Sequence, residues 1–340
     1  LRLVGSEMCI RDSQEDTETL DEVVVVGYGV QKKSDVTGAM ARVGEKELKA
    51  MPVRNALEGM QGKTAGVDIT SSQRPGEVGN INIRGQRSIN AEQGPLYVVD
   101  GMVIQNGGIE NINPSDIEAI DILKDASATA IYGSRGANGV ILVTTKKGKE
   151  GKVTLNYSGT VTFETLHDVT EMMSAAEWLD YARLAKYNAG SYASATPTYE
   201  ADKAAFGSVT ASWKNIEKAW VNGVYDPSLV GSYDWASHGK QTGITHEHTL
   251  SASGGSDKFQ GYASFGYLDQ KGTQPGQAYE RYTLKTSFDV TPVNWFKMGS
   301  SINASYSTQD YGYSFSKSVT GSGDFYSALR SMIPWTVPYD

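Results

Sequence analysis

The clearest pattern along the chain is a regular alternation of apolar and polar residues in its second half. Residues 153–164 show it best, because one face would carry Val153, Leu155, Tyr157, Val161 and Phe163. Alternation with period two predicts a β-strand with one apolar face. Similar segments follow at residues 247–254, 259–268, 281–290 and 295–307. Such lengths exceed those of ordinary strands and are typical of tilted strands that cross a membrane.

The connections between these strands differ in length. Residues 254–258 and 291–294 are tight turns, whereas residues 165–246 and 269–280 are long connections. Short turns on one side and long loops on the other are typical of an outer-membrane barrel, with the short turns periplasmic. Trp295 and Phe296 follow a short turn and are expected in the periplasmic aromatic girdle. A two-sheet sandwich also alternates and is the alternative, but strand length and loop asymmetry favour the barrel.

Residues 34–148 have a different pattern, in which short strands and short helices are mixed with many glycines. A helix is expected over residues 53–63, with Asn55 as its N-cap, and a second over residues 126–133. Asp100 and Gly101 form a hairpin-type turn signal. Strands are expected over residues 66–70, 80–85, 95–101, 119–124 and 139–145. The pattern predicts a compact α+β domain ahead of the long strands.

The charge composition of the chain argues against nucleic-acid binding. The chain has 340 residues, with 31 basic and 39 acidic side chains, so it has no basic footprint for nucleic acid. The single cysteine, Cys9, lies in residues 1–13, which resemble translated sequencing-adapter sequence and are foreign-looking. The long connection 165–246 carries a helix whose start has a capping box formed by Ser174 and Glu177.

No segment predicts enzymatic chemistry. The glycine-rich residues 133–139, GSRGANG, lack the lysine and serine or threonine that end a phosphate-binding loop, and a strand follows them. His246 and His248 would share one face of a strand, but no third metal ligand is evident, and a solvated barrel rim is the favoured environment. We therefore expect no enzyme activity, no metal and no cofactor.

Three segments together resemble a known family. They are LDEVVVVGYG (20–29), VVDG (98–101) and DIEAIDILKDASATAIYGSRGANGVILVTTKKG (116–148). In this order they resemble the plug domain and barrel entry of SusC/RagA-type TonB-linked outer-membrane transporters. The resemblance implies an α+β plug domain followed by the first strands of an antiparallel transmembrane β-barrel, which is 22-stranded in the family and incomplete here. It also implies further strands beyond Asp340.

The resemblance assigns roles to two sets of residues. The TonB box, where TonB would bind, is Asp21, Glu22, Val23, Val24, Val25 and Val26. This segment is expected to lack a local partner strand. Arg84 and Arg135 resemble the plug arginines that pair with acidic residues on the inner barrel wall.

The resemblance also implies the domain organisation and function. Residues 14–33 would hold the TonB box and linker, 34–148 the plug, and 149–340 the start of the barrel, with an extracellular loop at 165–246. The implied function is TonB-dependent import of glycans or peptides across the outer membrane of a Gram-negative bacterium. The implied partners are TonB with its ExbB/ExbD motor, a SusD-like surface lipoprotein, an oligosaccharide or peptide ligand, and outer-membrane lipid. A passive β-rich adhesin or glycan-binding protein is the alternative.

Overall fold

The computed structural model describes most of the chain after residue 22. The described residues are 23–26, 29–32, 40–48, 53–72, 74–77, 79–86, 94–104, 109–167, 170–208, 210–293, 295–312 and 325–336. They form two compact units. The first comprises residues 1–70 and 79–146, and the second comprises residues 71–78 and 147–340.

The first unit is built from short strands and helices. In chain order they are β1 (Val23–Val26), β2 (Gly29–Lys32), β3 (Met40–Gly44), α1 (Glu45–Leu48), α2 (Ala56–Met60), β4 (Val67–Ile69), β5 (Ile81–Ile83), β6 (Leu96–Val99), β7 (Met102–Ile104), β8 (Ile117–Leu123), α3 (Ala126–Thr129) and β9 (Val140–Thr145). Short 3₁₀ turns lie at Ile109–Asn111, Pro114–Asp116 and Ala130–Gly136. The predicted α+β character is confirmed, and Asn55 caps α2 by accepting a hydrogen bond from the amide of Glu58.

A five-stranded sheet is the core of this unit, with strand order β3-β8-β9-β6-β7. β6 and β9 run parallel, while the other neighbours are antiparallel. The central strands β8 and β9 are buried along most of their length, which explains their nearly continuous apolar sequences. β3 has no comparable pattern, and sequence analysis did not predict it.

The VVDG segment closes the hairpin between β6 and β7. Val99 pairs with Met102, and the two residues between them, Asp100 and Gly101, have φ angles of 48° and 85°. Two consecutive positive φ angles are those of a type I′ hairpin turn, so the predicted turn is confirmed. The Asp100 carboxylate accepts hydrogen bonds from the Thr145 amide at 2.9 Å and the Thr145 hydroxyl at 2.5 Å. The turn is thereby attached to the end of β9.

The second unit contains the long strands and the helices between them. In chain order they are β10 (Gly151–Glu164), α4 (Ala175–Asn188), α5 (Tyr199–Phe206), α6 (Thr210–Ile216), β11 (Trp220–Val221), β12 (Val224–Tyr225), β13 (Gly243–Gly255), β14 (Phe259–Lys271), β15 (Gln277–Val293), β16 (Phe296–Tyr311) and α7 (Phe325–Arg330). Further 3₁₀ turns lie at Glu217–Ala219, Pro227–Leu229 and Ala236–Gly239. The capping box predicted at the start of α4 is confirmed, with both Ser174 and Glu177 hydrogen bonds present.

The long strands form one antiparallel sheet in the order β10-β13-β14-β15-β16. Every predicted strand is present, and each is longer than its sequence pattern indicated. The expected long connection at residues 269–280 is wrong, because Asp269 and Gln270 pair with Glu280 and Tyr279 and leave only residues 272–276 outside the strands. No helix among the described residues is long and apolar enough to cross a membrane.

Candidate functional sites

The valine segment is one strand of a hairpin. β1 pairs antiparallel with β2, with Val23 opposite Lys32 and Val26 opposite Gly29. The expectation that the segment lacks a local partner strand is therefore wrong. Asp21 and Glu22 lie outside the described residues. In a two-stranded sheet only one edge of β1 is paired, so its other edge presents backbone groups that can accept another strand.

The two plug arginines have different surroundings. Arg84 has a positive φ of 60° and forms an ion pair with Asp125 of the same unit. The predicted contact of Arg84 with an acidic residue of the barrel wall stays a prediction. Lys124 lies next to this pair, and burial, followed by the charge of Arg84, lowers the pKa of its ammonium group. Arg135 is exposed, and no ion pair forms at it within the part of the chain that is described.

The remaining sequence candidates are the glycine-rich residues 133–139 and the histidines His246 and His248. Gly133 lies at a kink in a 3₁₀ turn, and the chain then enters β9 without opening a helix on which a phosphate could sit. Within the described residues no group of three or more acidic, histidine or cysteine side chains is arranged to hold a metal. The His248 ring instead stacks on Tyr157, and its Nδ1 lies 2.8 Å from the Tyr157 hydroxyl oxygen.

The outer face of the long sheet is apolar and exposed. One row of directly paired residues crosses all five strands and consists of Tyr157, Leu250, Phe265, Leu284 and Ala304. Leu250, Phe265 and Leu284 remain about half exposed. A sandwich would bury such a row in its core, whereas a barrel in a membrane presents it to lipid. This exposure favours the barrel over the sandwich.

Aromatic residues border the apolar face. Near one end, Tyr267, Tyr282 and Tyr306 are paired across three adjacent strands, and His248 pairs with Tyr267. Eight residues further along the same strands stand Phe259, Val290 and Met298, which are also paired across the sheet. Eight residues span about 27 Å of strand, and a tilt of about 40° reduces this to a height of about 21 Å. That height fits the apolar band of an outer-membrane barrel.

The opposite face of the same sheet is polar and buried. On β15 it carries Gln277, Arg281, Thr283, Lys285 and Ser287, each at most 8% exposed. Lys285 is paired with β16 side chains, because its Nζ lies 3.2 Å from the Asn303 Oδ1 atom. A buried polar face behind an exposed apolar one is the pattern expected of a polar barrel interior.

Pro75 and Gly76, in the segment 71–78, contact this polar face within the second unit. The Gln309 amide donates to the Pro75 carbonyl oxygen at 2.8 Å. Gly76 lies so close to the Tyr279 ring that an added Cβ would overlap it, and its φ is +71°. The chain on both sides of this segment belongs to the first unit. The sequence pattern does not predict this contact, and only the Pro-Gly pair at positions 75 and 76 indicates a tight turn there.

The connection between β10 and β13 folds into a small lobe. We define the loop lobe as residues 170–242 together with residues 325–336. Its core is formed by Ala175, Leu179, Trp213, Ile216, Ala219, Val230 and Trp335. The Asn215 side chain joins two parts of the lobe, because it donates to the carbonyl oxygens of Gly231 at 2.7 Å and Trp335 at 2.9 Å. The lobe also contains a cavity of about 570 Å³ that is partly open to solvent.

Comparisons with known proteins agree with this architecture. Residues 32–140 match the family model of the TonB-dependent receptor plug domain. TonB-dependent receptor P39 of Formosa agariphila is 38% identical over 297 residues, which cover 87% of this chain and 26% of the relative. TonB-dependent receptor SusC of Bacteroides thetaiotaomicron is 34% identical over 283 residues, which cover 81% of this chain and 25% of the relative. The chain therefore spans about a quarter of the length of these relatives.

Solved structures give the same result. The RagAB peptide importer in its open-open state superposes with a TM-score of 0.70 at 31% identity, over 86% of this chain and 33% of the importer chain. The superposition supports a plug followed by part of a β-barrel as the architecture of this chain. The plug match, the similar receptors and this superposition agree. Together they show that the chain belongs to the SusC/RagA family of TonB-dependent receptors.

Proposed function

We propose that the protein acts in energy-coupled import of glycans or peptides across the outer membrane. The observation that carries the proposal is the position of the valine hairpin, which ends at residue 32, where the match to the receptor plug domain begins. A strand directly ahead of a plug offers backbone groups that a motor protein can bind, so that a pulling force can reach the plug. Lipid would surround the exposed apolar face of the long sheet, and the loop lobe would face the cell exterior.

In this proposal TonB binds the backbone of Val23–Val26. TonB, driven by its ExbB/ExbD motor, would add a strand to β1 by β-augmentation, in which main-chain hydrogen bonds supply the affinity. β1 is already paired with β2, so TonB either adds to the outer edge of β1 or replaces β2. In both cases the pulling force passes along the chain into the plug. Asp21 and Glu22 would extend the pairing on the N-terminal side.

The partners follow from the same proposal. SusC and the RagAB importer are similar to this chain, and the second is described as a peptide importer. We propose a SusD-like lipoprotein that delivers an oligosaccharide or peptide to the loop side of the barrel. The relatives are named as receptors, and the proposed role is transport without catalysis.

Proline substitution in the valine strand tests the role of TonB. Val25→Pro, made in the full-length protein, removes one backbone donor from the strand and should abolish uptake while leaving ligand binding unchanged. Val24→Pro removes the donor at the neighbouring position, which points to the opposite edge of the strand. Val25→Thr keeps both the donor and the β-branched shape and is the matched control.

The outcomes separate the possible functions. Loss of uptake with Val24→Pro or Val25→Pro, together with normal uptake by Val25→Thr, supports binding of TonB to the backbone of Val23–Val26. Unequal effects of the two prolines would show which edge of β1 TonB uses. Normal uptake by both proline variants would remove the TonB-box role of Val23–Val26.

A further inference from the structure

The loop lobe contains a cavity with three fixed walls. The walls are formed by residues 170–174 and 177, residues 232–236, and residues 329, 330, 332 and 334, and the cavity is partly open to solvent, with a volume of about 570 Å³. This volume lies within the range of small-ligand sites. The walls come from distant parts of the chain, so the cavity is a product of the tertiary structure.

Hydrogen bonds hold the walls together. The Ala175 amide donates to the Ser232 hydroxyl at 3.2 Å, which joins the first wall to the second. The Tyr233 amide donates to the Pro334 carbonyl oxygen at 2.9 Å, which joins the second wall to the third. The Trp235 indole strengthens this second connection by donating to the Thr336 carbonyl oxygen at 3.0 Å. A ligand would meet a preformed site and would not have to order its walls.

One part of the lining is apolar and adaptable. It is formed by Met172, Met173, Leu329, Met332 and Pro334. Met172 and Met173 are half exposed, although methionine is normally buried. Unbranched methionine side chains adjust to apolar groups of different shape and are common at surfaces that bind varied peptides. This part of the cavity suits apolar side chains of a ligand.

The charged part of the lining is mainly acidic. It contains the carboxylates of Glu171, Glu177 and Asp234, and one guanidinium, that of Arg330. The Ser174 amide and hydroxyl hydrogen-bond Glu177 and hold the pKa of its carboxyl below the ordinary value, so it is charged at neutral pH. Glu171 and Asp234 are both exposed. Such a lining attracts a cationic group.

The aromatic residues of the lining are unsuited to stacking on a sugar. The Tyr233 ring stacks on His238 at a centroid distance of 5.3 Å and meets the edge of Trp235 at 4.9 Å. The Tyr233 hydroxyl oxygen lies 2.9 Å from the His238 Nε2 atom, and the Trp235 indole donor is bonded to Thr336. The Tyr233 ring and hydroxyl and the Trp235 indole donor are therefore engaged by protein contacts, whereas a sugar site presents open aromatic faces and free polar groups.

We propose that this cavity binds an amphipathic, basic peptide segment. A lysine or arginine side chain of the peptide lies against Glu171 and Asp234, and its apolar side chains lie against Met172, Met173 and Met332. This proposal rests on the proposed import function and selects peptide over glycan for this site. It is independent of TonB, since binding to the cavity needs no energy coupling.

Peptide binding to the detergent-solubilised full-length protein tests the proposal. The probe is a fluorescein-labelled hexapeptide of alternating leucine and lysine, measured by fluorescence anisotropy. The comparison peptides replace every lysine with glutamate, or every leucine with serine. We expect the leucine-lysine peptide to bind at least about tenfold more tightly than either, and to weaken as the salt concentration rises. Unlabelled maltohexaose should not displace it.

Variants locate the site. Glu171→Gln combined with Asp234→Asn should weaken binding of the leucine-lysine peptide at least about fivefold and reduce its salt dependence. Glu200→Gln, at an exposed acidic position outside the cavity, is the matched control and should bind normally. Met332→Ser should weaken binding without changing the salt dependence, since it removes only apolar contact.

Several results would overturn the proposal. They are no binding of the leucine-lysine peptide, equal binding of the glutamate peptide, displacement by maltohexaose, or normal binding by the double variant. Each of these results leaves the import function intact if uptake remains sensitive to Val25→Pro. Loss of that sensitivity with normal peptide binding would instead contradict TonB coupling and leave the cavity assignment standing.

Discussion

The Nε atom of Arg183 lies 3.3 Å from the carboxylate of Asp202, whose side chain is fully buried in the loop lobe. The Tyr192 hydroxyl and the Trp220 indole also donate to this carboxylate, at 2.8 and 3.1 Å. On its other side the Arg183 guanidinium lies 3.5 Å from the centre of the Tyr225 ring. One carboxylate therefore joins α4, α5, β11 and the turn between α4 and α5.

Removal of the buried carboxylate should loosen the loop lobe. Asp202→Ala leaves the partly buried Arg183 cation without its counter-ion, and breaking one side of a buried ion pair costs about 3 kcal/mol. We expect faster amide hydrogen exchange in α4 and α5, measured by mass spectrometry on the full-length protein. Glu200→Gln, at an exposed position on the same helix, should leave exchange unchanged. Equal exchange in the two variants would show that the ion pair does not stabilise the lobe.

The stability of the lobe should fall at alkaline pH. Burial raises the pKa of the Tyr192 hydroxyl above its ordinary value of 10.0, and the hydrogen bond to Asp202 raises it further. The unfolded state then ionises first, so the stabilisation is complete below about pH 10 and is lost as the pH rises above that value. Hydrogen exchange of the lobe at pH 9 and pH 11, corrected for intrinsic rates, should show this loss. Tyr192→Phe should make it smaller, and an unchanged pH dependence would contradict the assignment.

An alanine at position 76 should release residues 71–78 from the barrel wall. Gly76→Ala places a Cβ in the Tyr279 ring and also strains a φ of +71°. Gly85→Ala is the matched control, because its φ is +83° but its Cβ would meet open space. We expect Gly76→Ala to increase passive entry of small antibiotics in cells expressing the full-length protein, and Gly85→Ala to increase it less. Tyr279→Ala should rescue Gly76→Ala, since it removes the clash.

The long strands could be predicted from sequence because alternation is a local property of the chain. Their ends could not, since Asp269 and Gln270 are polar and resemble a loop, yet their backbones continue to pair with β15. The Pro75 contact with Gln309 and the Tyr233 contact with Pro334 join residues far apart in sequence. No local pattern encodes such contacts, so the contact of Pro75 with Gln309 and the cavity became visible only in the structure.

The resemblance assigned the same role to Arg84 and Arg135. Arg84 follows a short strand and precedes Gly85, as Arg135 precedes Gly136, and both were expected to pair with the barrel wall. Asp125 is close to Arg84 only because the chain ahead of α3 passes beside β5, which the sequence does not specify. The same role was thus assigned to two residues that the structure places in different environments.

The two arginines should consequently differ when they are removed. Arg84→Ala breaks the ion pair with Asp125 and should destabilise the plug itself, which thermal unfolding would detect. For Arg135 we retain the prediction of a contact with an acidic barrel residue, so Arg135→Ala should raise passive leak of small solutes more than Lys147→Ala. Equal leak in the Arg135→Ala and Lys147→Ala variants would mean that Arg135 does not hold the plug.

A charge in the middle of the apolar face should prevent stable insertion. Ile302 lies four residues from Tyr306 and four from Met298, midway between the two borders of the face, and its side chain is 55% exposed. Arginine at the midplane of a barrel's lipid face costs about 2–4 kcal/mol. Ile302→Arg in the full-length protein should therefore reduce the heat-modifiable folded fraction in lipid vesicles and lower the denaturant midpoint. Ser305→Arg, three residues away on the polar face of the same strand, is the matched control and should insert normally. Similar losses in the two variants would contradict a specific contact of the Ile302 face with lipid, and a loss in Ser305→Arg alone would reverse the orientation of the sheet.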